Sequence, residues 1–336
     1  MNTAITVATG VATEALARAA VTAACAPSIH NTQPWRWRVR DGVADLYADR
    51  RRQLTESDPD GRMMITSCGA ALHHACVALT AQGFNPEVDR MPDAGDHDHL
   101  ARVTVTRLAP VTPAETMRHL QTLMIRHTDR RPLVDRPLPD GTLDMLRSAA
   151  ATYTIGLDPL DRDQVIELAS AVGRAQRAQL DDPAGRAELD AWTGNGGIRG
   201  AGVPDANILA AASESTVPAR DFGHFGALTG AAGHDAVARY AILYGLDDEP
   251  GTWLRAGEAL SAVWLVATEH GIALVPLSAA AEAPSTRQEL RRILAGVGYP
   301  CIGLRLGVAD REQPAPPNTP RLPVTTTVDA DAVRQG

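Results

Sequence analysis

Lysine does not occur in this chain: all 32 basic residues are arginine. That absence excludes a P-loop lysine, a Schiff-base lysine and a lysine general base. Any bound anion must be held by arginine, backbone N–H groups or helix N-termini. Cysteine is scarce too, and Cys25, Cys68, Cys76 and Cys301 show no C-x-x-C spacing, so no disulfide framework is indicated. No window approaches about 18 consecutive apolar residues, so no transmembrane helix is expected. The formal charge of −8 speaks against a nucleic-acid footprint and offers no polybasic membrane anchor. Residues Met1–Ala12 lack a basic, then long apolar, leader pattern, and a cytoplasmic protein is expected.

What is present is ordinary for a soluble globular protein: 336 residues, 44% apolar and 21% charged, enough for two domains or one domain built twice. Periodicity predicts helices over Thr13–Cys25, Gly69–Gln82 (stopped by Gly83), Pro113–Ile125, Leu143–Ala151, Arg162–Leu180 and Gly257–His270 (stopped by Gly271). Arg36–Arg40 and Ala44–Ala48 alternate around Asp41-Gly42 and read as a hairpin. Ala101–Thr106 and Cys301–Leu306 read as strands, and Gln313–Pro323 as an extended, proline-rich segment.

An internal repeat organises these pieces. At an offset of 188, Gly69-Ala70-Ala71-Leu72 falls on Gly257-Glu258-Ala259-Leu260, Thr80 on Thr268 and Gly83 on Gly271. The preceding helix ends, Ala23-Ala24 and Ala149-Ala150, match at 126, which requires a net insertion of 62 residues between Ala151 and Gly257. That stretch holds Gly194-Asn195-Gly196-Gly197, Gly200, Gly202, Gly223, Gly226, Gly230 and Gly233. A long glycine-rich insertion suits a lid or binding loop, or a surface excursion. The expected division is a first half over 1–110, a second half over 111–325 with the insertion at about 180–250, and a tail over 326–336.

Two constellations carry candidate chemistry. Ala26-Pro27-Ser28-Ile29-His30-Asn31-Thr32-Gln33-Pro34-Trp35 joins a helix to a strand, its backbone fixed by prolines and its side chains rich in short polar groups. It could present donors and acceptors to a flat ring, or serve as a rigid packed connection. In Arg126-His127-Thr128-Asp129-Arg130-Arg131-Pro132, an extended backbone would set Arg126, Thr128 and Arg130 on one face, away from Asp129. Two guanidiniums and a hydroxyl suit a phosphate, although surface arginine strands paired with carboxylates are common.

Pro27-Ser28-x-x-Asn31-x-Gln33-Pro34-Trp35 resembles the P-S-x-x-N-x-Q-P-W motif of FMN-dependent nitroreductases, and Arg126-x-Thr128-x-Arg130 resembles their R-x-S-x-R phosphate motif. Gly257–Gly271 followed by Pro276-Leu277-Ser278 is similar to their long helix and the backbone that meets flavin N5. Thr319-Pro320-Arg321-Leu322-Pro323 is similar to their C-terminal phosphate segment. The resemblance spans most of residues 14–323 outside the insertion, and is nearest to the Acg-type branch of two fused halves. It implies an α+β fold: two half-repeats, each with a small, mainly antiparallel sheet flanked by helices.

In the dimeric members of that family one subunit supplies the phosphate arginines and its partner supplies the proline-framed loop. Here the first half has only the loop and the second half only the arginines, since Ala151-Thr152-Tyr153-Thr154-Ile155 lacks P-S-x-x-N. The resemblance therefore implies one FMN per chain and a monomer. Arg126, Thr128, Arg130 and Arg321 would hold the phosphate; Ser28, Ile29, His30, Asn31 and Thr32 would line ring and ribityl; Leu277 and Ser278 would offer backbone to N5. Family members set a lysine or arginine beside flavin N1–C2; lysine is absent here, and the sequence assigns no arginine to that place.

Other candidates are slighter. Gly194-x-Gly196 with Arg199 misses the G-x-G-x-x-G fingerprint, and Asp96-His97-Asp98-His99 reads as a solvated loop rather than a metal site. His73 and His74, adjacent on a helix, are not expected to face one point. His224 could touch a ring from the lid, or be a packed loop histidine. Two functions stand out at this level, beside the less supported one of a flavin-free interaction protein that keeps only the fold. One is an oxidoreductase that passes electrons from NAD(P)H or another donor through FMN to a nitro-aromatic, a quinone or another acceptor. The other is a non-catalytic protein that sequesters FMN beneath a lid.

Overall fold

The alternation that predicted the first hairpin is realised in the computed structural model, which describes residues 7–107, 114–194, 199–212, 215–230, 235–310 and 312–330. The expected boundary near 110, part of Met1–Ala12, Asn195–Gly197, Gly233 and the last residues of the tail lie outside the described residues. In chain order the elements are α1 (Thr9–Ala23), β1 (Trp35–Arg40), β2 (Val43–Ala48), α2 (Arg62–Ala81), β3 (Phe84–Arg90), β4 (His99–Arg107), α3 (Ala114–Ile125), α4 (Thr142–Ala151) and β5 (Gly156–Pro159). There follow α5 (Arg162–Asp181), α6 (Pro183–Trp192), β6 (Arg239–Gly245), α7 (Pro250–Glu269), β7 (Ile272–Leu277), α8 (Ala279–Glu282), α9 (Pro284–Ile293), β8 (Tyr299–Val308), α10 (Val324–Thr327) and β9 (Val328–Ala330). The architecture is the expected α+β one. A five-stranded sheet runs β3-β4-β2-β1-β9 and a four-stranded sheet β5-β6-β8-β7, every pairing antiparallel except β1 with β9.

The two sheets have the same order when β3, β4, β2 and β1 are set against β7, β8, β6 and β5. Each carries a register shift at a matching place, between Leu46 and Tyr47 on one side and between Leu243 and Tyr244 on the other. Trp35, Trp37 and Val39 point inward from β1 while Arg36, Arg38 and Arg40 point out, the period-2 signature of a strand with one buried face.

The long helices α2 and α7 cross at the centre. A Cβ on Gly69 would lie 2.0 Å from the Leu254 carbonyl oxygen, and one on Gly257 would lie 1.8 Å from that of Thr66. Only glycine permits this approach, and the two contacts are related by the offset of 188, as are His73 and Ser261, which bond at 2.7 Å. Both helices begin earlier than periodicity indicated. α2 is buried without a break from Met63 to Ala75, so it carries no polar stripe to mark its start. Its first turn is capped by Asp58, whose carboxylate accepts from the backbone N–H of Met63 (3.1 Å) and Met64 (2.9 Å). α7 starts on Pro250, whose missing N–H has no consequence at a first helical position. By length and composition α2 could cross a membrane, yet it is packed inside the protein.

Three expectations need correction. The net insertion is not placed at 180–250 alone. The turn that is Asp41-Gly42 between β1 and β2 is replaced, between β5 and β6, by all of residues 160–238, including α5 and α6. Its excess over the net figure is offset by a shorter link between α4 and β5 and by a shorter one between β6 and α7. A further excursion, α8 and α9, separates β7 from β8. Finally, residues 326–336 are not simply a tail, because Val328–Ala330 pair with Trp37–Val39 and cover the open edge of the first sheet. The four cysteines are free.

Candidate functional site

The proline-framed turn is held in a conformation that few residues accept. His30, Asn31 and Gln33 all have positive φ, at 43°, 54° and 50°. Such backbone costs of order 1–3 kcal/mol per residue and persists only where surroundings over-determine it. Here they do. Ser28 Oγ accepts from the Gln33 N–H at 2.9 Å, and the Ile29 N–H donates to Ser67 Oγ of α2 at 3.0 Å. Asn31 Nδ2 donates to the carbonyls of Gly202 (3.0 Å) and Pro320 (2.9 Å). The Gln33 amide donates to Gly200 O at 2.8 Å and accepts from the Leu322 N–H at 3.0 Å. The turn is thus fastened to three segments distant in sequence: α2, the insertion and the C-terminal proline-rich segment.

Against this turn lies a cavity of about 270 Å³. Ser28, Ile29, His30 and Asn31 line it, as do Arg126, Thr128, Arg130, Leu277, Ser278 and Arg321. Thr32 does not. It is fully buried behind the turn, where its carbonyl accepts from Arg52 Nη1 at 3.0 Å. The insertion contributes Val172 and Gln176 from α5, Val203, Asn207, and a strap from Val217 to Phe222. Gln176 and Gln179 of α5 hold this strap: Gln176 donates to Ala219 O (3.1 Å) and accepts from the Asp221 N–H (2.7 Å), and Arg220 donates to Gln179 Oε1 (2.6 Å).

The arginines of the second motif do not act as one face of a strand. After α3 the chain 126–130 pairs with no sheet, so strict alternation is not imposed. Arg126 falls beside Arg321, and both donate to the Cys25 carbonyl, at 3.4 Å and 3.2 Å. Arg126 also stacks over Trp264, 4.5 Å from the ring centroid. Neither has a carboxylate partner among the described residues; Arg321 bonds Asn31 Oδ1 (3.1 Å) and Thr319 Oγ1 (2.6 Å) instead. Burial, then repulsion from Arg321, pushes Arg126 down to about 9. Arg130 belongs to a separate group. It donates to Asn207 O at 3.1 Å, lies over Phe222 at 5.3 Å, and is pushed down to about 10 by burial and by Arg220 and Arg305. Asp129 pairs with Arg131 (2.6 Å), while its charge also acts on Arg130.

Sequence reading missed several members of the site. Arg220, anchored bidentately on Glu282 (3.0 and 3.1 Å), and Arg305 of β8 both reach the cavity. So do Ser67, Trp264, Gln176, Asn207 and Phe222. No local pattern marks them, because each arrives by tertiary packing. Other expectations are settled differently. His224 bonds Asp205 at 3.0 Å and does not line the cavity. His73 and His74 do converge, both placing Nδ1 on Ser261 Oγ (2.7 and 3.0 Å), because α7 crosses close enough for one hydroxyl to meet two adjacent helical positions. Asp98 pairs with Arg50 and His99 with Asp45, and no cluster among the described residues could hold a metal.

No family model matches the chain. It is 34% identical over 311 residues, covering 91% of this chain and 93% of the relative, to the Mycobacterium tuberculosis H37Rv protein named "Putative NAD(P)H nitroreductase acg". It is 36% identical over 311 residues, 90% of this chain and 88% of the relative, to the Rv3131 protein of the same strain, which carries the same description. Among solved structures, it superposes on the FMN and NADPH-dependent nitroreductase NfnB of a Sphingopyxis strain with a TM-score of 0.39 and 19% identity, covering 63% of this chain and 97% of that one. On an FMN-bound nitroreductase of Bacteroides fragilis the TM-score is 0.38 at 16% identity, covering 60% and 93%. With a third of its residues shared across nine-tenths of its length, the chain belongs to the acg-type nitroreductase family.

Proposed function

We propose that the cavity binds one FMN per chain and that the protein is an FMN-dependent oxidoreductase. Its donor would be NAD(P)H or another reductant, and its acceptor a nitro-aromatic, a quinone or a similar molecule. The observation that carries this reading is the Arg126–Arg321 pair, two cations drawn out of water onto one shared carbonyl with no carboxylate among the described residues. An uncompensated buried charge costs several kcal/mol, so the arrangement is complete only with an anion, and guanidiniums bind phosphate oxygens with matching geometry. The unpartnered Nε atoms of both arginines and both ring nitrogens of His30 fit a polar ligand as well.

In this reading Arg126, Thr128 and Arg321 hold the phosphate, while Ser28 to Asn31 and Leu277-Ser278 border the ring and ribityl. Thr32 supports the turn from behind. Bound FMN would supply the electron chemistry, and the chain supplies orientation and electrostatics. Arg130 and Arg220 set a second positive end in the same cavity, suited to an electron-rich ring edge. We also read the chain as two related halves fused into a monomer. Matched strand order, matched register shifts and the 188-residue relation across the α2–α7 crossing support this.

The strap Val217–Phe222 favours a second reading, in which the same cofactor is stored under a cover rather than turned over. Colour and anaerobic mixing separate the possibilities. Purified protein should be yellow and release about one FMN per chain on denaturation. Bleaching within seconds of adding NADH or NADPH supports the enzyme, whereas yellow that only dithionite removes supports storage. Colourless protein that does not take up added FMN overturns both. Mass by light scattering tests the monomer.

A further inference from the structure

His30 combines backbone strain with unsatisfied polar atoms. Its backbone is left-handed, it is 8% exposed, and neither Nδ1 nor Nε2 has a hydrogen-bond partner among the described residues. The ring meets Phe222 of the strap edge-on at 6.0 Å. Burial, reinforced by Arg220 and Arg130, holds its pKa well below the ordinary histidine value, so it is a neutral imidazole with one donor and one acceptor. A packed core histidine would use at least one of these, as His73 and His74 do on Ser261. A buried polar group left unpaired is destabilising, and this adds to the backbone strain. Both costs fall on a side chain that lines the cavity at the junction of turn and strap. Such a combination marks a group whose partner is a ligand atom.

We propose that His30 is a specificity-determining residue, its imidazole hydrogen-bonding an oxygen substituent of an aromatic electron acceptor that enters the cavity between the proline-framed turn and the Val217–Phe222 strap. The inference rests on the flavin reading, since the acceptor is taken to bind beside FMN. Its surroundings choose the class of acceptor. Phe222, Val217 and Pro218 offer apolar area to a ring, and Arg130 and Arg220 lie close enough to His30 to influence it, favouring oxygen-bearing groups such as nitro, carboxylate or quinone carbonyl over amines.

The test uses full-length protein saturated with FMN, and 4-nitrobenzoate as probe, followed by the change it causes in the flavin absorption bands. His30→Phe should weaken probe binding about tenfold, the effect of one lost hydrogen bond. His30→Gln, which restores an amide donor, should recover most of that loss. Independently of any variant, the ¹⁵N resonances of the His30 ring in the FMN-loaded wild type should move when 4-nitrobenzoate is added. Equal probe affinity in wild type and His30→Phe, or ring resonances that stay in place while the probe binds, overturns the assignment of His30 alone. A wild type that takes up no FMN overturns the flavin reading, and this inference with it.

Discussion

The region around Ala70 and Ser278 and the region around Glu258 and Arg90 correspond at the 188-residue offset, yet the cavity of about 270 Å³ lies at the first. In the first, two small residues leave space, and Arg126 and Arg321 have no carboxylate partner among the described residues. In the second, Glu258 and Arg90 occupy the equivalent places and bond to each other twice at 2.8 Å, with Glu258 1% exposed. Tyr153 stands beside them, its hydroxyl pKa pushed up by burial and by Glu258, and packs edge-on against His73 at 5.5 Å. Where the first region has the proline-framed turn, the second has the short link after α4. One arrangement has met its own electrostatic needs; the other, on the reading proposed above, leaves them to a ligand. Two surfaces on one scaffold can therefore be told apart as binding or structural by where their charges find partners.

That contrast can be broken at several points. The largest effect is expected at the crossing the two regions share. Gly257→Ala and Gly69→Ala should each destabilise by more than about 3 kcal/mol, since the facing carbonyl is helix backbone and cannot give way. Urea denaturation should find the two costs similar; a large inequality would argue against a symmetric crossing. Arg90→Ala should cost about 3 kcal/mol, because it strands a buried Glu258 carboxylate. A double Arg90→Met, Glu258→Leu variant should recover most of that, and no recovery would mean the pair does more than fill its space.

Arg126→Ala sharpens the comparison by going the other way. It should weaken FMN binding by about 1.5–3 kcal/mol, read by flavin fluorescence quenching, as charged hydrogen bonds are lost. In ligand-free protein it should leave stability equal or higher, since it removes an uncompensated buried cation. A loss of ligand-free stability comparable to that of Arg90→Ala would sink the distinction. The smallest effect concerns pH. His30 and His74 have folded pKa values below the unfolded one near 6.5, so the unfolded chain binds protons first and stability falls as pH drops through that value. Each contributes up to about 1.4 kcal/mol per pH unit. Asp58, raised by burial to about 7, runs oppositely: between about 4 and 7 the folded state holds its proton, and stability falls as pH rises. Two histidines against Asp58 leave ligand-free stability declining as pH falls below 6.5, a decline that Glu258, also raised by burial, reduces at the acid end. If the histidines titrated normally, Asp58 would make stability rise as pH falls through that window, and such a profile would overturn the histidine assignment.

The elements whose chemistry is local could be read from the chain before any coordinates. The Pro27–Trp35 turn, the inward-facing tryptophans of β1, the glycines of α2 and α7, and the Arg126–Arg130 run all declare themselves through spacing and residue type. Helix starts were harder, because α2 is apolar on every side and its cap, Asp58, bonds across a glycine rather than from the adjoining position. The insertion was visible in length but not in place, since a repeat offset counts net residues and says nothing of compensating short links.

Sequence alone determined the family, the α+β class and the principle that any anion here must be met by arginine, for these follow from local pattern and from what residue types can do. Tertiary structure alone decided which arginines meet. Arg126 is joined to Arg321 across the whole chain, Arg130 is drawn instead towards Arg220 and Arg305, and Arg90 is spent on Glu258. The physical reason is that charge and burial are properties of neighbourhoods, and a neighbourhood assembled from segments far apart in the chain leaves no mark on any one of them.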